Sequence, residues 1–122
     1  MRIFLISLIG FSATLAFSDS RTASLLGQDG SILFRNQVKP ALSETCFKCH
    51  GPDDATREAD LRLDTFEDAT RDRGGYVAIS PRHADKSELW SRITSDDPDL
   101  VMPPPDSGLA LTQNEIQSMR QW

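Results

Sequence analysis

Apolar residues recur every fourth position from Phe34 through Val38 and Leu42 to Cys46, and Leu33 widens the stripe. This spacing predicts a helix that begins near Ser31 and buries one face. Pro40 lies inside the run. It has no N–H and disfavours helical backbone in the residue before it, so a kink or restart is expected near Lys39. Leu61-Arg62-Leu63-Asp64 alternates and predicts a short extended piece. Thr65 is placed to cap a short helix through about Thr70, which Gly74-Gly75 ends. Tyr76-Val77-Ala78-Ile79 predicts an inward-facing segment, and Ser87 a cap for a helix carrying Leu89, Trp90 and Ile93. Residues 94–111 are rich in proline and aspartate and predict a long loop. The clearest local signal is Thr112-Gln113-Asn114-Glu115, a capping box flanked by Leu111 and Ile116 at the staple positions. Ile116 and Met119 continue the apolar face of the helix that follows. The fold class read from this pattern is all-α, with short helices separated by long loops.

The first residues follow a different logic. Met1-Arg2 is a short positive start, Ile3 to Phe17 is almost wholly apolar, and Ala16-Phe17-Ser18 fits a small-x-small cleavage site before Asp19. That is the layout of a secretory signal. The apolar run is shorter than the roughly 20 residues a spanning helix needs, so membrane association is expected only if the signal stays uncleaved. The organisation expected is a signal peptide over 1–18, a flexible leader over 19–30 and one folded domain over 31–122. The localisation expected is export, to the periplasm or another extracytoplasmic space.

Composition narrows the function. The chain has 122 residues, with 13 basic against 18 acidic residues and a net charge of −5, so no nucleic-acid partner is expected. Its 2 cysteines cannot build a disulfide scaffold. A loop-rich domain of about 100 residues has a marginal core, so something else is expected to help hold it together.

Cys46-Phe47-Lys48-Cys49-His50 reads C-x-x-C-H, the attachment signature of c-type haem. Two thiols three positions apart can each add to one haem vinyl group, and the adjacent His50 is then delivered to the iron. Maturation of such a site takes place outside the bacterial cytoplasm, in agreement with the signal sequence. A thioredoxin-like dithiol pair would also show C-x-x-C, but after a strand in a βαβ setting, and here a helical stripe precedes it. A zinc site from Cys46, Cys49, His50 and His83 would force adjacent residues onto one tetrahedron. For the other face of the iron the candidates are Met102, Met119 and His83. Met102 precedes Pro103-Pro104-Pro105, a stiff loop suited to holding a thioether in place. Met119 reads as core and His83 as solvated surface. With His50 and Met102 as ligands, the two are expected to face each other across a cavity. Arg62 is a candidate partner for a haem propionate and Arg57 a weaker one. Asp53-Asp54 and Asp96-Asp97-Pro98-Asp99 lack the spacing of a calcium loop.

Taken with Gly51-Pro52, Leu61-Arg62-Leu63-Asp64, Ser87-Glu88-Leu89, Arg92-Ile93, Met102-Pro103-Pro104 and Leu111-Thr112…Glu115-Ile116, the motif resembles the Planctomycete-type cytochrome c domain over about residues 30–122. The resemblance implies a small cytochrome-c-like helical fold around one covalently bound haem c. It implies that Cys46 and Cys49 tether the haem and that His50 and Met102 ligate its iron. It also implies that such a domain opens a larger exported protein, which agrees with a chain that stops at Trp122 in mid-helix. The function expected is one-electron transfer, with a redox protein or a fused downstream domain as partner. The alternatives are a haem enzyme or sensor with an open distal face, or a dithiol oxidoreductase. One departure is visible: the family tends to Pro-Gly where this chain has Pro81-Arg82.

Overall fold

The computed structural model describes residues 30–122; the signal peptide and nearly all of the expected leader lie outside the described residues. Four helices order the domain, and no strand occurs among the described residues. Helix α1 is one continuous helical run over residues 30–50, and it already includes Gly30. α2 spans Phe66–Thr70, α3 Glu88–Ile93 and α4 Gln113–Gln121. Single 3₁₀ turns occupy Ala84–Lys86 and Pro105–Ser107. No helix of the described residues is long and apolar enough to cross a membrane.

The restart expected near Lys39 does not occur. Lys39 has helical φ and ψ of −62° and −43°, and the helix continues on both sides. Two π-helical turns, Phe34–Val38 and Leu42–Cys46, bracket a short α segment Lys39–Ala41. At the end of the first, the Lys39 N–H reaches back five residues to the Phe34 carbonyl. A proline ring clashes with the carbonyl four residues earlier in a regular helix. The wide turn just before Pro40 gives that carbonyl room, so the helix absorbs the proline without ending.

Val38, Ala41, Leu42, Ile93 and Met119 form the first buried cluster, so Met119 is core as expected. Trp122 packs on its edge, its ring 5.0 Å from that of Phe34, and the Ser118 hydroxyl donates to Gln37 Oε1 at 2.6 Å. These contacts dock α4 on α1. The capping box forms: the Thr112 hydroxyl accepts from the Glu115 N–H at 3.3 Å, and Glu115 accepts from the Thr112 N–H at 2.7 Å. Leu63, Ala69, Ala78 and Ile79 form a second cluster. Cys46, Phe47, Leu89 and Trp122 touch both clusters, so the end of α1 lies at the seam between them.

The segment 72–79 ties α2 to α3. Ile79 N–H donates to the Ala69 carbonyl at 2.8 Å, and Leu89 N–H to the Ala78 carbonyl at 3.0 Å. Ser87 begins α3, but its hydroxyl makes no cap. It accepts from the Ser80 N–H at 2.9 Å and donates to the His83 carbonyl at 3.0 Å, bracing the loop before the helix. Thr65 likewise starts α2 without a side-chain cap.

Pro81-Arg82 occupies the centre of a turn closed by the His83 N–H to the Ser80 carbonyl at 3.0 Å. Arg82 has φ of +65°, the left-handed conformation that glycine adopts without penalty. The turn therefore keeps a glycine-type backbone with an arginine in it. Arg82→Gly is expected to stabilise the protein by about 0.5–1 kcal/mol, the relieved strain exceeding the added freedom of the unfolded chain. A denaturation midpoint equal to or below that of the wild type would contradict this account of the turn.

Candidate functional site

The C-x-x-C-H residues occupy the last turns of α1. Cys46 closes the second π turn, and Cys49 and His50 lie on the α turn Phe47–His50. Both thiols are unpaired and half-buried. Burial, and then the neighbouring Cys49 and Glu115, push the Cys46 thiol up to about 11. A dithiol oxidoreductase needs the opposite, an electropositive setting that lowers the attacking thiol. This environment disfavours that reading.

Burial lowers the His50 imidazole below its usual value; the backbone of Glu58 and Leu61 opposes the shift, and Arg73 adds to it. The ring is held neutral, the form that binds metal. Its Nδ1 is buried without a hydrogen-bond partner.

The helix end is closed by the loop that follows. Glu58 N–H donates to the Cys49 carbonyl and Leu63 N–H to the His50 carbonyl, each at 2.8 Å. Two of the free carbonyls that every helix end leaves are thereby satisfied. Gly51 makes the exit possible: a Cβ there would meet the Phe47 carbonyl oxygen at 2.2 Å. Arg57, the weaker propionate candidate, clamps this exit instead. Its Nε donates to the Gly51 carbonyl at 3.0 Å and its Nη2 to the Pro52 carbonyl at 2.9 Å, and it pairs with Asp54. Arg62 grips Asp64 with two bonds, Nε to Oδ1 at 3.0 Å and Nη2 to Oδ2 at 2.6 Å. Its guanidinium is thus already engaged by a carboxylate.

Met102 is half-buried and its N–H donates to the Arg92 carbonyl at 3.1 Å. Arg92 in turn pairs with Glu88 at 2.7 Å within α3. The loop carrying Met102 is thereby fastened to the end of α3. His83 is exposed.

An apolar cavity of about 620 Å³ lies between the two clusters, with Leu42, Leu63, Ile79, Leu89, Ile93 and Met119 among its walls. Cys46, Cys49, His50 and Met102 do not line it, so it is not the space expected between His50 and Met102. It borders the motif closely, since Leu42 lies one turn before Cys46 and the Leu63 N–H holds the His50 carbonyl.

The donor set suits a haem of the c type. Two unpaired thiols, a half-buried imidazole held neutral and adjoining apolar space are what such a group needs. No group of three or more His, Cys, Asp or Glu side chains able to hold a metal ion occurs among the described residues. The zinc reading therefore finds no cluster.

Two parts of the site escaped the sequence reading. The tight packing of Gly51 on Phe47 has no sequence signal. Arg73 had no motif at all. It emerges only because its side chain, 12% exposed, returns to the segment beside His50.

No curated protein and no solved structure matches the chain. A family model described as Planctomycete cytochrome C matches residues 46–106, from the first cysteine of the motif to just past Met102-Pro103-Pro104-Pro105. With that match covering half the sequence and the fold all-α, the chain belongs to the Planctomycete cytochrome C family, a group of c-type cytochrome domains.

Proposed function

We propose that the domain is an exported one-electron carrier. In this reading Cys46 and Cys49 tether one haem c, and His50 and Met102 ligate its iron. Bound haem would supply a one-electron iron couple, which histidine–methionine ligation poises at a raised potential. The observation that carries the proposal is the C-terminal end of α1, where two unpaired thiols precede a half-buried imidazole held neutral.

The chain's own residues make the site rigid. Glu58, Leu63 and Arg57 close the helix end, so His50 keeps its place. The Arg92 carbonyl anchors the loop that presents Met102. A ligand set that changes little with oxidation state keeps reorganisation small, which suits electron transfer. A net charge of −5 favours basic redox partners through steering, whether a separate protein or a fused downstream domain.

The test is expression in a host that matures c-type cytochromes. The protein is expected to carry haem that survives a denaturing gel. The oxidised protein should show the weak band at the red end of the visible spectrum that methionine ligation gives. Met102→Ala should abolish that band while the haem stays attached. Colourless wild-type protein would refute the carrier. A red band unchanged by Met102→Ala would remove Met102 from the iron, and absence of that band from the wild type would favour an open distal face.

A further inference from the structure

Two buried side-chain nitrogens among the described residues have no hydrogen-bond partner, His50 Nδ1 and Arg73 Nε. Both belong to the same neighbourhood. The segment 58–63 runs beside the end of α1, held by Glu58 N–H to the Cys49 carbonyl and Leu63 N–H to the His50 carbonyl. Arg73 reaches that segment from beyond α2: its Nη2 donates to the Asp60 carbonyl at 3.0 Å and to Asp68 Oδ2 at 2.5 Å. Asp68 also accepts the Arg62 N–H at 2.7 Å and pairs with Arg71 at 2.7 Å. One carboxylate therefore locates Arg73 and also anchors the segment it presses against.

We propose that Arg73 is a positioning residue whose buried positive charge on the His50 side raises the electron affinity of the iron site, with Asp68 as its partial counterweight. The proposal rests on the haem reading above. A cation beside a metal site disfavours the oxidised, more positive state, and burial leaves that effect less screened than at the surface. Arg73 is nearly buried, whereas Arg71, which shares Asp68, is half-exposed. The larger effect therefore belongs to Arg73.

The two partners of this pair make opposite predictions. In mature holoprotein, Arg73→Met should lower the midpoint potential, shifting the reduced-to-oxidised ratio at fixed solution potential about three- to tenfold toward the oxidised form. Arg73→Lys keeps the charge and should stay close to wild type. Asp68→Asn removes the counterweight and should shift the ratio the other way. A merely structural role would loosen the segment in both Arg73→Met and Asp68→Asn, and both potentials would then fall together. That common fall, an unmoved potential in Arg73→Met, or an Arg73→Lys shift as large as that of Arg73→Met would overturn the proposal. If Arg73→Met yields no holoprotein, Asp68→Asn decides alone: a rise supports the proposal, and no change or a fall overturns it. Failure of the haem reading looks different, since the wild type would then carry no covalent haem and give no potential.

Discussion

Replacing both Cys46 and Cys49 with alanine is expected to yield a protein with no gel-stable haem and no cooperative thermal transition. The first loss follows from removal of both tethering thiols. The second follows from the core. Among the described residues, Leu42 and Val38 are the largest side chains that are fully buried, and three of the nine buried apolar residues are alanines. Buried apolar area, at about 25 cal/mol per Å², is the main term opposing chain entropy. Here it is split between two small clusters with a cavity between them. A domain of about 100 residues with so little fully buried side-chain area stands near the stability limit. The measurement is a melt by circular dichroism beside a haem stain. A sharp transition at the wild-type midpoint in the haem-free variant would show that the polypeptide folds on its own.

Gly51→Ala is expected to destabilise the protein by about 2–4 kcal/mol and to reduce haem attachment. The reason is steric, because the new Cβ would meet the Phe47 carbonyl oxygen at 2.2 Å. That carbonyl belongs to the turn that carries both Cys49 and His50, so the clash cannot relax without moving the site. The clamps from Arg57 and Leu63 would shift with it. Chemical denaturation and the haem-to-protein ratio of the purified variant give the two readouts. A variant with wild-type stability and full haem content would mean that the helix exit tolerates the side chain.

What the sequence revealed of the fold was the chemistry and structure that short stretches specify. Cys46, Cys49 and His50 were legible because covalent attachment demands that order at that spacing. The capping box at Thr112 and Glu115 was legible because both groups act within one turn of their own helix. The apolar stripe of α1 announced a buried face, and Val38 and Leu42 are buried. Local preference gives way where it meets distant geometry. Ser87 had the right type and place for a cap, yet two carbonyls and an N–H of the preceding loop claim its hydroxyl. Pro40 carried a breaking signal that a widened turn absorbed. Asp68 and Arg73 meet because the chain leaves α2 at Arg71 in an extended conformation and returns the Arg73 side chain to the helix it has just left. No pattern of neighbouring residues encodes that meeting.

The wide turns of α1 have a consequence for the angular placement of the first thiol. At 3.6 residues per turn, each four-residue step along a regular helix overshoots a full revolution by about 40°. Across the three steps from Phe34 to Cys46 the offset would reach about 120°, enough to swing the sulfur off the flank that carries Val38. The two wider coils between them, Phe34–Val38 and Leu42–Cys46, each take up more residues per revolution and cancel the precession. A period of four in sequence is thus converted into a straight meridian in space, and Cys46 arrives on the same longitude as Val38 and Leu42.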